Sequence, residues 1–358
     1  MRITANQLTT LRILFIPLPC ALLLTGGFRT QMVAWALYVI VGITDFFDGI
    51  LARKYGSTKL GALLDPIADK IYVTLLFLPL SILGLLPVWM VVAIIIRDPV
   101  ITCMRSLSQM RGIVMKTSTL AKYKTAIQMI AGGYIIWSGL IVDRKAAVAG
   151  MASVVVIAWL LFFLYVALKR RFSLRLFTLG ALPSLGLGIR ALFDAHDTCL
   201  AYGWLTFSIT WLSAAYYIVL FILKYRGGKG RIGPLWWLYN LLESFAFPLL
   251  VLLFQGREGI PEWVPMTIIC LEFSGGALDN LVTSENMLRS APGVGIKMLL
   301  ELAVAVLIAL KLWLPSAVPA PLDHPVWVDA YALLGVALVS FLLFFASHGI
   351  KVITEKPA

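Results

Sequence analysis

The chain has 358 residues, 60% of them hydrophobic and 13% charged, with a mean hydropathy of +0.92. A soluble domain is roughly half apolar and a quarter charged, so this balance excludes large soluble domains and describes an integral membrane protein. Thirty Lys and Arg against 18 Asp and Glu give a net charge of +12, which in so apolar a chain points to membrane topology and anionic lipid and away from nucleic acid.

A helix of about 20 apolar residues crosses a bilayer. Apolar runs between charge clusters predict spans over 11–27, 32–51, 62–84, 88–106, 123–142 and 147–168. A second set follows over 174–193, 204–223, 234–255, 262–281, 296–314 and 327–348. The expected fold is an all-α polytopic membrane protein of about 12 transmembrane helices. Its two six-helix halves, 1–171 and 172–358, meet at Lys169-Arg170-Arg171. Of the 30 basic residues, 24 fall on one side of this arrangement, and only Arg29, Arg144, Lys145, Arg190, Arg257 and Lys311 on the other. The positive-inside rule then places both termini in the cytoplasm of a multi-pass protein, with the cell inner membrane as the expected location. Cys20 follows Leu18-Pro19 in a faint likeness of a lipoprotein cleavage site, but the first run reads as an uncleaved helix. Cys20, Cys103, Cys199 and Cys270 form no CxxC pair and read as core residues.

The informative segment is 44–70, which places Asp45, Asp48, Asp65 and Asp69 at the cytoplasmic ends of two consecutive apolar helices. An ionised Asp inside a membrane helix is costly, so four together call for a compensating cation. Spacings of three and four residues put each pair on one helix face. Four hard oxygen donors without a clustered His or Cys suit two Mg²⁺ or Mn²⁺ ions, with positions left for phosphate oxygens. The competing reading is a buried ion-pair network with Arg53, Lys70 or Arg97. Gly49, Ala52 and Gly61 leave room for a ligand one turn from the acids, and Arg53 continues the strip as a guanidinium fork for phosphate.

The stretch Asp45-Phe-Phe-Asp48-Gly49-Ile-Leu-Ala52-Arg53, with Gly61-Ala-Leu-Leu-Asp65-Pro-Ile-Ala-Asp69, resembles the CDP-alcohol phosphatidyltransferase signature. Seven residues separate Arg53 from Gly61, one fewer than the family commonly has. The resemblance implies that a divalent-metal site binds the pyrophosphate of a CDP-linked lipid while an alcohol attacks the lipid-side phosphorus and CMP leaves. Carried over residue by residue, it makes Asp45, Asp48, Asp65 and Asp69 metal ligands and Asp69 also the general base. Gly49, Ala52, Arg53 and Gly61 would hold the CDP moiety.

Further along, Arg105, Lys122 and Lys124 are candidates for an acceptor phosphate, the two lysines standing at a predicted helix N-terminus that favours an anion. Within the family, Lys122-Tyr-Lys124-Thr125 followed by Gln128-Met129, and the opening Asn6-Gln-Leu-Thr-Thr-Leu-Arg12, most resemble phosphatidylglycerophosphate synthases. That likeness implies CDP-diacylglycerol and sn-glycerol 3-phosphate as substrates, with phosphatidylglycerol (a cardiolipin synthase) or an inositol phosphate as alternative acceptors. It covers residues 3 to 165. A twelve-helix secondary transporter is the reading of another class, and the acids weigh against it because they flank a basic loop rather than the bilayer midplane.

Residues 172–358 are expected to be a degenerate copy of the first half. Arg53 aligns with Arg226, Gly61 with Gly233, Pro87-Val-Trp89 with Pro261-Glu-Trp263, Asp98 with Glu272, and Lys124 and Gln128 with Lys297 and Glu301. In that register the four acids face Ile218, Phe221, Trp237 and Leu241, so no second metal site is expected. The halves would form an intrachain pseudo-dimer, standing in for the homodimer that the resembled family commonly forms.

Overall fold

The computed structural model describes residues 5–55, 59–110, 119–169, 174–225, 260–272 and 325–344, with short pieces at 303–304, 306–307 and 310–311. Among these residues every regular element is a helix. They are α1 (Ala5–Phe15), α2 (Pro17–Thr25), α3 (Phe28–Tyr55), α4 (Lys59–Ile82), α5 (Val88–Met110), α6 (Thr119–Leu140), α7 (Arg144–Lys169), α8 (Leu174–Leu192) and α9 (Ala195–Tyr225). Two more helices, Trp263–Glu272 and Val326–Phe344, follow. The helices at Arg144–Leu168 and Ala195–Leu223 are long and apolar enough to cross a membrane, and shorter apolar helices accompany them. The expected span 234–255 lies outside the described residues.

The first predicted span is helical over Thr9–Thr25 and is divided at Ile16, itself in the right-handed helical conformation, into α1 and α2. Pro17 opens α2 directly after Ile16; Pro17 and Pro19 carry no N–H, so the ladder from α1 cannot continue through them. Between α4 and α5 the chain turns on Gly84, whose φ is +70°. Gly84 N–H reaches Ser81 C=O at 3.1 Å and Leu85 N–H reaches Leu80 C=O at 2.9 Å, the paired bonds that close a helix when a residue without a Cβ takes the left-handed conformation.

α4 is the central element. Its residues 71–81 are all buried, and it meets α1, α2, α5 and α6. α7 and α8 pair on the outside. On α7, Val156, Ile157, Leu160, Leu161, Leu164 and Leu168 are exposed, an apolar stripe that needs lipid rather than water as its solvent. α9 lies along α5 and α6, and the helix Trp263–Glu272 reaches the same core, where Met266 Sδ stands 3.5 Å from Cys20 Sγ. Helices on both sides of the 171/172 boundary thus share one interior. Cys20, Cys199 and Cys270 are free thiols, the first two buried.

Two residues on the sparser side of the charge count also make buried contacts. Lys311 meets Asp329 at 2.6 Å, both side chains 5% exposed. Arg190, 1% exposed, donates to the carbonyls of Phe193 at 3.1 Å and Val142 at 3.0 Å, with Ile141 at 3.4 Å. Arg144 donates back to the carbonyl of Ala191. These two guanidiniums staple the α6–α7 connection to the α8–α9 connection. Arg190→Ala removes donors from buried carbonyls, each charged hydrogen bond being worth about 1.5–3 kcal/mol. It should lower the thermal unfolding midpoint of the detergent-solubilised chain, and Arg190→Lys should recover only part of the loss.

Candidate active site

α3 is helical through Asp45, Asp48, Gly49, Ala52 and Arg53, and α4 through Gly61, Asp65 and Asp69. At 3.6 residues per turn, Asp45 and Asp48 share one face of α3, and Asp65 and Asp69 one face of α4. Beyond this backbone placement, all of these residues except Asp69 lie outside the described residues. Asp69 has a side chain 40% exposed, and its Oδ1 lies 3.6 Å from Nη2 of Arg12 on α1, a guanidinium 1% exposed.

Two tyrosines tie the acid-bearing helices together. Tyr38, two turns before Asp45 on α3, donates its hydroxyl proton to Leu75 C=O on α4 at 2.5 Å. Tyr72, one turn beyond Asp69 on α4, donates to Tyr38 C=O at 2.9 Å. The rings meet edge to face with centroids 6.1 Å apart. Gly42, between Tyr38 and Asp45, lies where a Cβ would come within 3.2 Å of the Tyr72 hydroxyl. The pair of reciprocal bonds fixes the register of α3 against α4, and with it the relative heights of the two acid pairs.

Beside Asp69 lies a buried polar cluster centred on Asp98 of α5. Lys124 Nζ on α6 donates to both Asp98 oxygens, at 2.6 and 2.8 Å. Arg97 Nη1 donates to Oδ1 at 2.7 Å, and its Nη2 to Ser213 Oγ on α9 at 2.8 Å. Lys70, next to Asp69, donates to Thr102 Oγ1 at 2.9 Å. It is close enough to interact electrostatically with Asp98, Lys124, Arg105 and Arg97, as Lys124 is with Asp69. Arg105 Nη2 donates to the Tyr217 hydroxyl on α9 at 2.7 Å, with the guanidinium 4.8 Å above that ring. Gln128 Nε2 on α6 donates to Thr210 Oγ1 on α9 at 3.1 Å.

The three residues expected to bind an acceptor phosphate are thus differently occupied. Lys124 is bound to a carboxylate, Arg105 to a neutral phenol, and the side chain of Lys122 lies outside the described residues. α6 begins at Thr119, so Lys124 stands past the first turn and not at the open N–H groups of the helix start. Arg97, offered in the sequence as an ion-pair partner for the motif acids, pairs with Asp98. The sequence entered Arg12 only as part of a family-like opening and Asp98 only as a repeat match, and gave no role to Thr210, Ser213 or Tyr217. Adjacent charges at Arg97-Asp98 inside an apolar run were a usable signal, because intramembrane charges are retained for a reason. Three hydroxyls on one apolar helix were a much weaker one.

Among the described residues no three His, Cys, Asp or Glu side chains cluster as a metal site, and three of the four motif acids have side chains outside that set. The donor chemistry fits divalent metal, since the helical backbone at all four acids and the partly exposed Asp69 carboxylate suit hard oxygen ligation.

Residues 2–166 match the family model described as CDP-alcohol phosphatidyltransferase. The CDP-diacylglycerol–glycerol-3-phosphate 3-phosphatidyltransferase of Rickettsia typhi is 34% identical over 140 residues, covering 38% of this chain and 77% of that protein. The chain belongs to the CDP-alcohol phosphatidyltransferase family. A probable phosphatidylglycerophosphate synthase of Mycobacterium tuberculosis is 40% identical over 136 residues, 37% of this chain. The chain spans 65% of that relative's length. A Bacillus subtilis protein with the same name as the Rickettsia one is 40% identical over 96 residues, 26% of this chain and half of its own length. No solved structure matches.

In this member of the CDP-alcohol phosphatidyltransferase family, Asp98→Ala leaves Arg97 and Lys124 without their buried counter-charge. Breaking such a pair from one side costs about 3–5 kcal/mol. Thermal unfolding in detergent should show a large drop for Asp98→Ala, with partial recovery when Lys124→Met is added.

Proposed function

We propose that the chain is an integral membrane enzyme of phospholipid synthesis that transfers the phosphatidyl group of CDP-diacylglycerol to sn-glycerol 3-phosphate, releasing CMP. The observation that carries this reading is the complete eight-residue acid and glycine pattern on α3 and α4, inside the family-matched segment. The names of the Rickettsia and Mycobacterium relatives support the choice of acceptor.

Asp45, Asp48, Asp65 and Asp69 would hold two Mg²⁺ or Mn²⁺ ions, which when bound supply Lewis-acid stabilisation of phosphate charge. Gly49, Ala52 and Gly61 would admit the CDP moiety, and Arg53 would meet its phosphate with a bidentate fork. The acceptor hydroxyl oxygen attacks the phosphorus that bears the diacylglycerol. A new P–O bond forms there, the P–O bond to CMP breaks, and the hydroxyl proton passes to the Asp69 carboxylate. Positioning and electrostatics dominate phosphoryl transfer, and the buried cations near Asp69 give this end of the bundle the sign that a phosphorylated acceptor requires.

The topology in this reading is multi-pass, twelve spans in two six-helix halves, with both termini and the acid pattern on the cytoplasmic side of the cell inner membrane. Residues 1–171 carry the chemistry. Residues 172–358 form a degenerate partner half without the acid motif, an intrachain pseudo-dimer.

The test is metal-dependent CMP release by the purified full chain, given CDP-diacylglycerol and one acceptor at a time. Activity with sn-glycerol 3-phosphate and little with glycerol is expected. Equal activity with both would defeat the acceptor assignment, and preference for phosphatidylglycerol or an inositol phosphate would reassign it. Asp69→Asn should lose about 10²–10⁴-fold in turnover, the usual contribution of general-base catalysis, while still binding CDP-diacylglycerol. Near-normal turnover by that variant would remove Asp69 from the base role.

A further inference from the structure

We propose that α9, a helix beyond the family-matched segment, carries the positioning residues of the acceptor-phosphate pocket: Ser213 and Tyr217 hold Arg97 and Arg105 in place. The proposal rests on the phosphatidyl-transfer reading above and extends it to residues that neither the motif nor the family match reaches, since the match ends at residue 166 and α9 begins at Ala195.

Thr210, Ser213 and Tyr217 stand at spacings of three and four residues, which places them on one stripe of α9. All three are fully buried, at 0% exposure. Each accepts a hydrogen bond from a different residue of the first half, namely Gln128, Arg97 and Arg105. Ser213 is itself oriented, its hydroxyl donating to Thr210 C=O at 2.8 Å, so a lone pair is presented to Arg97. Tyr217 serves Arg105 twice, through its phenol oxygen at 2.7 Å and through its ring face at 4.8 Å.

The chemistry of these anchors decides their role. Asp98 is a carboxylate and cancels charge on the groups it holds; a hydroxyl or phenol fixes a guanidinium and leaves its charge intact. Arg97 and Lys124 share the one carboxylate of Asp98 and together keep a single net positive charge, whereas Arg105 is oriented by a neutral partner and keeps its whole charge for an anion. The Nε atoms of Arg97 and Arg105 are buried and have no hydrogen-bond partner among the described residues, donor capacity that a phosphate would satisfy. Of the predicted acceptor residues with described side chains, Arg105 is the phosphate cation and Lys124 is held by Asp98. α9 sets where Arg105 points.

The experiment compares full-length wild type with Tyr217→Phe, which keeps the ring and removes the phenol oxygen. The control is Thr206→Ala, which removes a hydroxyl that among the described residues bonds within α9, to Tyr202 C=O. Initial rates of CMP release are measured against sn-glycerol 3-phosphate and, separately, against CDP-diacylglycerol. Tyr217→Phe should raise the acceptor KM about tenfold, as expected for a lost hydrogen bond to a charged group, and leave the lipid KM unchanged. Thr206→Ala should leave both unchanged. On an Arg105→Ala background, Tyr217→Phe should have no further effect, because its action passes through that guanidinium. Ser213→Ala, which leaves Arg97 held by Asp98, should raise the acceptor KM by a smaller factor and keeps the test available if Tyr217→Phe fails to fold. An unchanged acceptor KM in both variants, or equal rises in both KM values, would overturn the positioning role while leaving phosphatidyl transfer standing. A wild-type chain that releases no CMP with any acceptor would overturn the functional reading and this proposal together.

Discussion

Everything near the acid motif depends on the cost of burying charge. Asp98, Arg97 and Lys124 lie deep in an apolar bundle, where an isolated ion costs several kcal/mol and only close pairing offsets it. Contacts of 2.6–2.8 Å from two cations satisfy Asp98, and because those cations sit on α5 and α6 the pairing also fixes how these helices face each other. The α9 hydroxyls extend the same principle. A guanidinium that needs several acceptors takes one from a carboxylate and another from a serine, and a third helix is drawn into the arrangement. Polar satisfaction adds to apolar packing in setting the register of the bundle at this end, since a buried donor that loses its acceptor costs about 1–3 kcal/mol.

Much of the architecture was legible in the sequence because the bilayer imposes a length on its helices. The predicted runs over 32–51, 62–84, 88–106, 123–142, 147–168 and 174–193 each fall on an observed helix, displaced by a few residues at the ends. The helical spacing of the acids was readable for a related reason, and the backbone is helical at all four positions. The break at Pro17 was written in the sequence as two prolines inside an otherwise continuous run, and it was hidden by reading hydropathy alone.

The less legible part was partnership. A hydropathy run reports that a charge is embedded and says nothing of which helix answers it, so Lys124 and Arg105 looked alike although one faces a carboxylate and the other a phenol. Arg190 and Lys311 entered only as topology signals, which says nothing of the carbonyl groups that one holds or the aspartate that the other meets. Thr210, Ser213 and Tyr217 gave almost no signal, because hydroxyl residues are ordinary in membrane helices and their function arises only from what faces them.

The staple made by Arg190 and Arg144 has a mechanical consequence. It binds the connection between α6 and α7 to that between α8 and α9, at the end of the bundle away from the acid motif. Two connections pinned to each other by charged side chains cannot fray one at a time, so the helix ends on either side of them loosen together or not at all.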